Sequence, residues 1–128
     1  MIGTGHGHAN SKILALQSMA EYEFLGVARP DKDDPAIGPA FKNPTWLNAE
    51  DILKNPDIEM VAIEFADAER NLHFAQRAID AGKWVHLDKP PGANLKGLRK
   101  LLDDARARGR HEQMGYQWRY HAGIEAAM

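Results

Sequence analysis

The sequence predicts a doubly wound α/β domain, in which a mainly parallel sheet carries helices on both faces. Short apolar runs alternate along the chain with longer stretches whose apolar residues recur at helical spacing. Glycine, asparagine and proline separate the two kinds of segment, as expected at helix ends and turns. Because a strand–helix–strand unit pairs its two strands in parallel, repetition of that unit builds this class of sheet.

The elements begin with a helix predicted over 8–20, where Ile13 and Leu16 share one face. The apolar run at 23–28 predicts a strand. The proline-rich stretch at 29–44 then predicts a loop, because proline lacks the amide hydrogen that regular structure needs.

The middle of the chain continues the alternation. Asn48 is placed to cap a short helix over 49–54, and an apolar run at 59–64 predicts the next strand. A helix follows over 69–81, and Gly82 is expected just beyond it in the left-handed conformation.

The last third predicts a strand at 84–87 and a helix over 95–108 with Asn94 as its cap. A final strand is predicted over 113–117, and residues 121–128 resemble the start of a helix. Neither repeats nor low-complexity tracts interrupt this order, so we expect one domain.

Composition limits the possible functions. The chain has 128 residues, 44% hydrophobic and 27% charged, with a formal charge of −2 and no cysteine. A near-neutral charge offers no basic surface for nucleic acid, and the absence of cysteine excludes disulfides and thiolate metal sites. Without a long apolar run or a leader segment, a membrane partner is not expected. We therefore expect a cytoplasmic protein.

A glycine loop opens the chain. Gly3 and Gly5 enclose Thr4 and precede His6 and a helix, which suits a dinucleotide. The first glycine permits a tight turn, the second lets backbone approach a pyrophosphate, and the helix start offers free amides. The third glycine of the usual pattern is replaced by His8. The strand that normally precedes the loop is short, since only two residues come before Gly3.

Three further positions fall at predicted strand ends, where open α/β sheets bind ligands. Lys89, after the 84–87 strand and Asp88, is either a ligand-facing lysine or a solvated turn residue. Arg29 stands where an acidic residue usually binds the adenosine ribose. A guanidinium there suits the 2′-phosphate of NADP. Arg29 is equally consistent with an ordinary surface arginine. Asp31 could instead bind the ribose. Asp67 is either ligand-facing or a turn former.

His6 and His8 raise the question of a metal. The sequence places no carboxylate or third histidine at ligand spacing beside them, and we expect no metal site. Under this interpretation His6 lines the pyrophosphate loop.

Together these segments resemble the Gfo/Idh/MocA oxidoreductases, the family of glucose–fructose oxidoreductase and inositol dehydrogenase. The similar segments follow the family's order and are residues 3–6, 51–58, 78–83, 85–90 and 115–120. Residues 85–90, Val-His-Leu-Asp-Lys-Pro, are similar to the family's strand and Glu-Lys-Pro motif. Three departures stand out: Phe65-Ala66 replaces a common Thr-Pro, Asn71 replaces a histidine, and Trp84 replaces another.

The resemblance implies an NAD- or NADP-dependent dehydrogenase or reductase of a sugar, cyclitol or similar polyol. Lys89 would be its catalytic residue, beside the nicotinamide and the reacting oxygen. The cofactor-binding positions implied by loop, strand ends and motif are Gly3, Thr4, Gly5, His6, Arg29, Phe65, Ala66, Asp67, Asn71, Asp88 and Lys89.

The resemblance also sets the expected boundaries. Residues 1–120 would be the NAD(P)-binding domain, and 121–128 would begin the connection to a second, substrate-binding domain. With that domain missing and the first strand short, we expect a fragment of a longer protein that forms homo-oligomers at full length. Two alternatives stay open: a non-catalytic Rossmann-type module that binds a nucleotide or a partner, and an inactive truncated product.

Overall fold

The computed structural model describes residues 1–116 and 121–127 as a mixture of parallel strands and helices. The strands are β1 (Val27–Ala28), β2 (Trp46–Leu47), β3 (Met60–Ile63), β4 (Trp84–Leu87) and β5 (Glu112–Met114). The helices are α1 (Ala9–Ser18), α2 (Ala49–Lys54), α3 (Ala68–Asp80), α4 (Leu95–Ala107) and α5 (Ala122–Glu125), with a 3-10 turn at Pro39–Phe41.

Ile2 joins the strands into one sheet. β1 pairs in parallel with β2, while β3, β4 and β5 pair in parallel with one another in that order. Ile2 bridges Ala28 of β1 on one side and Ile63 of β3 on the other, again in parallel. The resulting order, β2–β1–Ile2–β3–β4–β5, is that of a doubly wound sheet with Ile2 in the central place. The predicted fold class is therefore confirmed.

Two apolar cores lie on opposite faces of the sheet, because side chains alternate along each strand. Val61 and Ile63 of β3 belong to the larger core, which includes residues of α2, α3 and α4. The intervening Ala62 belongs to the smaller core, which includes Ile13 of α1. Burial of Ile13 accounts for the apolar stripe predicted for this helix.

Local signals explain the helices behind the larger core. The side chain of Asp67 caps α3 by accepting from the Arg70 amide at 2.7 Å, and that of Asn94 caps α4 by accepting from the Gly97 amide at 3.1 Å. Gly82 ends α3 with φ +76°, as predicted for a residue that must enter the left-handed region.

The largest departure from prediction is the strand expected over 23–28, of which only Val27–Ala28 forms. A strand needs backbone partners along its length. The segment at Met1 and Ile2 is the neighbour of β1 on one side, and its first hydrogen bond to residues 23–28 runs from the Met1 amine to the Gly26 carbonyl. The last strand, expected at 113–117, runs over Glu112–Met114. Residues 117–120 and 128, including Arg119 and Tyr120, lie outside the described part. Within it, no helix is long and apolar enough to cross a membrane.

Candidate nucleotide-binding site

The glycine loop connects Ile2 to α1 at the carboxyl edge of the sheet. Gly3 has φ +92°, and a Cβ there would lie 2.9 Å from the Glu64 backbone and from the Phe65 ring. Only glycine fits a position with both a left-handed conformation and so close a backbone neighbour. A Cβ on Gly5 would lie 3.4 Å from the Ala66 amide nitrogen and the Asp34 carboxylate, so this loop passes close to two other strand-end segments.

Helix α1 starts without a side-chain cap. His8 occupies the N-cap position with helical dihedrals, and its side chain makes no capping hydrogen bond. The first amides of any helix lack intrahelical partners and carry the positive end of the helix dipole. Thr4 adds a buried hydroxyl that has no hydrogen-bond partner within the described chain. An uncapped helix start beside a glycine loop suits the pyrophosphate of a dinucleotide, so the residues present fit the predicted cofactor.

Six ionisable side chains meet beside this loop, and we call them the edge cluster. Glu64, His86 and Asp88 lie on the sheet face that α1 covers, because they alternate with residues of the larger core. The loop and α1 add the remaining members. The edge cluster consists of His6, His8, Lys12, Glu64, His86 and Asp88.

Asp88 is the centre of the edge cluster. Its Oδ2 atom lies 3.0 Å from Nδ1 of His8, 3.5 Å from Nδ1 of His6 and 3.4 Å from Nζ of Lys12. The Lys12 ammonium also lies 2.5 Å from Nε2 of His86 and 3.3 Å from Oε1 of Glu64. The fold thus places a carboxylate between the two histidines that the sequence separates from it by eighty residues.

Burial and neighbouring charges shift the pKa values in opposite directions. Burial raises the pKa of Glu64 to about 8, and the nearby negative charge of Asp88 adds to the rise, although Lys12 opposes it. Burial alone would raise the pKa of Asp88 too. However, the hydrogen bond from the Lys89 amide and the positive charge of Lys12 together outweigh burial, so the pKa of Asp88 is lowered. The edge cluster therefore holds two carboxyl groups side by side: Glu64, whose raised pKa favours the protonated form, and Asp88, whose lowered pKa favours the ionised form.

Two histidines of the edge cluster, His86 and His6, have pKa values lowered toward the neutral form. Burial lowers the pKa of His86, and the Lys12 charge lowers it further. Burial likewise lowers the pKa of His6 against the opposing attraction of Asp88. Neutral imidazole is the form that accepts hydrogen bonds and binds metals.

Lys89 extends from the edge cluster into solvent. Its backbone amide donates to Oδ1 of Asp88 at 2.7 Å, which holds the start of the turn in place. Its exposed ammonium lies 3.3 Å from Nε2 of His6, on the opposite ring edge from the contacts to Asp88. Lys89 and the glycine loop are thus neighbours, as the predicted site requires.

Other predicted residues are held in place by local contacts. The Arg29 guanidinium stacks over the Trp46 ring at 5.2 Å and stays partly exposed. Asp67 is the α3 cap described above, so its turn-forming role is the one seen. Asn71 is fully buried, and its side chain bonds the Phe65 amide at 2.9 Å and the Phe65 carbonyl at 3.0 Å.

Phe65, Ala66 and Asn71 are predicted cofactor-binding positions, and their contacts within the chain explain how each relates to the glycine loop. The Phe65 ring is buried against Phe74 and also lies beside Gly3, so this side chain packs against the glycine loop from within the domain. Asn71 holds the backbone of this segment in place through its two hydrogen bonds to Phe65. The Ala66 amide lies beside Gly5, which places it at the loop by its backbone alone.

Sequence reasoning missed four residues of the site: Lys12, Glu64, Asp34 and Arg70. Arg70 binds Asp34 through two hydrogen bonds of 2.8 Å and so fixes the loop that approaches Gly5. Two signals were available. Lys12 lies one helical turn after His8, and Glu64 is a charged residue that directly follows a buried apolar strand.

A cavity of about 490 Å³ opens beside the edge cluster, on the α1 side of β4 and β5. Lys12, His86 and Asp88 line one wall, while Gln113 and Tyr116 line another. The cavity gives a small polar molecule access to the cluster.

These features define a class of protein: a doubly wound α/β domain with a glycine loop at the carboxyl edge of its sheet, the arrangement of dinucleotide-binding folds. A family model described as an oxidoreductase family with an NAD-binding Rossmann fold matches residues 1–116. The chain belongs to this Gfo/Idh/MocA family, which confirms the resemblance seen in the sequence.

Similar proteins include bacterial oxidoreductases. Inositol 2-dehydrogenase of Agrobacterium fabrum is 26% identical over 126 residues, which cover 98% of this chain and 37% of that protein. An uncharacterised oxidoreductase of Rhizobium meliloti is 29% identical over 94% of this chain and 36% of its own length. The chain thus spans about a third of the length of these relatives.

Solved structures agree with the fold. KijD10, a 3-ketoreductase of Actinomadura kijaniata in complex with NADP and TDP-benzene, matches with a TM-score of 0.81 at 20% identity, over 98% of this chain and 39% of that one. An NAD-binding protein of Listeria innocua matches with a TM-score of 0.78 at 21% identity, over 93% and 34%. At these identities the likeness shows the fold alone.

Proposed function

We propose that this chain is the cofactor-binding domain, residues 1–120, of an NAD(P)-dependent oxidoreductase that acts on a sugar, cyclitol or similar polyol. The observation that carries the proposal is the meeting of the glycine loop with Lys89, whose ammonium lies 3.3 Å from His6. The similarity to an inositol dehydrogenase supports the substrate class. Residues 121–128 would lead to the remainder of the enzyme, which we expect to form homo-oligomers.

The bound nicotinamide would accept a hydride from an alcohol carbon as NAD(P)+ or donate one to a carbonyl carbon as NAD(P)H. In this proposal the α1 amides and the loop backbone bind the pyrophosphate, as the uncapped helix start suggests. The Lys89 ammonium stabilises negative charge on the substrate oxygen, an electrostatic effect that grows as water is excluded. Asp88 positions Lys89 through the 2.7 Å hydrogen bond from the Lys89 amide.

Arg29 favours NADP over NAD in this proposal. Its guanidinium follows β1, where the adenosine ribose is expected, and it keeps solvent access while it stacks on Trp46. The acidic residues nearby, Asp31 and Asp34, argue less for NAD because Arg70 engages both carboxylates, at 4.0 and 2.8 Å. An Arg29→Ala variant should lose affinity for NADPH and keep its affinity for NADH.

The test compares binding of NADPH, NADH and ADP-ribose in variants of two lysines, Lys89 and Lys96. Titrations of the chain with NADPH and NADH, followed by nicotinamide fluorescence, are repeated with ADP-ribose as competitor, because ADP-ribose lacks the nicotinamide. We expect Lys89→Ala to weaken binding of the reduced dinucleotides several-fold and to leave ADP-ribose unchanged. Lys96→Ala, an exposed lysine at the start of α4, is the matched control and should change neither.

The second candidate is a non-catalytic nucleotide-binding module, favoured by the replacement of the usual Thr-Pro by Phe65-Ala66. This candidate predicts that Lys89→Ala changes none of the affinities. Such a result in a folded variant would contradict the enzymatic proposal.

A further inference from the structure

We propose that His6, His8 and Asp88 form a binding site for one divalent metal ion of the Zn²⁺ or Co²⁺ type. Each residue offers one ligand atom, and the three atoms lie within 4.8 Å of one another. Asp88 Oδ2 is 3.0 Å from His8 Nδ1 and 3.5 Å from His6 Nδ1. Ligand atoms bound to one such ion at roughly 2.1 Å are themselves about 3.0 to 3.5 Å apart, so the two distances to Asp88 suit a shared ion.

Glu64 provides the second, independent observation. Its side chain is fully buried, and neither carboxylate oxygen accepts a hydrogen bond of normal geometry within the described chain. Its Oε2 atom points toward the same place, 3.5 Å from His6 Nδ1. The Lys12 ammonium pairs with Oε1 at 3.3 Å, whereas Oε2 has no cationic partner among the described residues other than the His6 ring, and a metal ion there would supply one. Glu64 is therefore the fourth group that faces the proposed ion.

Lys12 is the internal competitor for this site. Its ammonium lies 3.4 Å from Asp88 and 3.3 Å from Glu64, so it neutralises the carboxylates that the ion would use. Because two cations repel at this distance, the ion must displace the Lys12 ammonium toward the adjoining cavity that Lys12 also lines. Loss of the Lys12 charge should then raise the affinity for a metal ion. If the site bound an anion, the same change would lower the affinity.

The donor set selects the class of ion. Two imidazole nitrogens and a carboxylate oxygen suit Zn²⁺, Co²⁺ and similar ions, whereas Mg²⁺ and Ca²⁺ prefer oxygen ligands. Lys89 approaches Nε2 of His6, while the proposed ligand atom Nδ1 accepts a 3.3 Å hydrogen bond from the His8 amide that the ion would replace. All the proposed ligands belong to this chain, so the ion would bind without a dinucleotide.

The experiment is a Co²⁺ titration of the chelator-treated chain, followed by visible absorption, which reports the ligand field directly. We expect one Co²⁺ per chain. Affinity should fall at least tenfold in His8→Ala and in Asp88→Asn, and rise in Lys12→Met, which keeps the aliphatic stem. His73→Ala, an exposed histidine of α3, is the matched control and should titrate like the wild type.

Several results would overturn the proposal. Among them are no saturable spectrum in the wild type, equal affinities in wild type and His8→Ala, and a weaker affinity in Lys12→Met. A competition titration with Zn²⁺ should abolish the Co²⁺ spectrum at one equivalent, and Mg²⁺ in large excess should not. Circular dichroism checks that each variant is folded. Asp88→Asn tests the same ion if His8→Ala does not fold.

Discussion

Helices α1 and α3 both begin at the carboxyl edge of the sheet, yet their first turns are built differently. In α3, Asp67 caps the amides and Glu69 adds negative charge to the first turn. In α1, His8 makes no cap, and the first turn holds no acidic residue. The Asp67 side chain accepts from an amide in the first turn of α3. No side chain caps the first turn of α1, where the Ala9 amide donates to the His6 carbonyl and the next amides are left for a ligand. The contrast indicates that α3 is scaffold and α1 is part of the site.

The packing of the two helices follows the same division. α3 contributes six buried residues and packs between the sheet and α4, while α1 buries only Ala9 and Ile13. Most of the other α1 residues are exposed, and the helix also contacts the turn at Pro39–Phe41. Stability is therefore expected to depend on residues around α3 and on the close approach that positions the glycine loop.

The largest effect should come from Gly3→Ala, which tests whether the loop before α1 is a strained close approach. The new Cβ would meet the Glu64 backbone at 2.9 Å in a residue with φ +92°. We expect a loss of about 3 kcal/mol or more in the free energy of unfolding, measured by urea denaturation. Gly7→Ala is the control, because a Cβ there meets no atom within 4 Å. Equal losses in both variants would remove the distinction.

Asn71→Ala tests the scaffold side of the comparison. Asn71 is the buried residue of α3 that bonds the Phe65 amide and carbonyl. Its removal leaves buried backbone groups unsatisfied, so we expect a loss of about 2 to 3 kcal/mol in urea denaturation. Gln76→Ala, on a more exposed part of α3, should cost less than about 1 kcal/mol. A similar cost at both positions would show that the Phe65 segment needs no internal support.

Glu112 makes the scaffold pH-dependent, away from the glycine loop. Burial raises the pKa of this β5 carboxyl to about 7. The folded chain then binds more protons than the unfolded chain between about pH 4.5 and 7, so stability is greatest below this window and falls as pH rises through it. We expect about 1 to 2 kcal/mol over the window, reduced from the full shift by residual solvent contact.

The corresponding measurement is urea denaturation of wild type and Glu112→Gln from pH 4.5 to 8. The variant should show a flatter dependence on pH, and Glu21→Gln, an exposed carboxylate, should keep the wild-type slope. An unchanged slope in Glu112→Gln would mean that another group carries the dependence.

The smallest effect should be the loss of a single cap. Asn94→Ala removes the oxygen that accepts the Gly97 amide, and we expect a cost of about 1 kcal/mol in thermal or urea unfolding. Asn43→Ala, in an exposed loop, is the control and should cost nothing measurable. A cost well below that of typical caps would weaken the view that local capping sets the scaffold helices.

Much of the scaffold was predictable because its signals are local. Asn48 caps α2 through its contact with the Glu50 amide, and the predicted range 49–54 is the one observed. The 84–87 strand is also observed as predicted, since Gly82 and Pro90 bound it on either side. These signals act within a few residues, so one sequence suffices to detect them.

The site was less predictable because its contacts are distant in sequence. Asp88 was assigned to a cofactor, and the expectation of no metal rested on the absence of a carboxylate near His6 and His8. Spacing along the chain cannot show that the sheet brings Asp88 to within 3.0 Å of His8. The strand predicted at 23–28 failed for a related reason, since strand length depends on neighbours and not only on apolar residues.

The central claim is that the uncapped α1 start and its glycine loop bind a dinucleotide. The most direct test is titration of wild type and Gly5→Val with NADPH and NADH by nicotinamide fluorescence, with thermal unfolding as the check on folding. We predict micromolar binding of at least one dinucleotide to the wild type and at least a tenfold loss in Gly5→Val, whose side chain fills the space beside Asp34 and Ala66. Equal affinities in a folded variant, or no binding by the folded wild type, would contradict the claim.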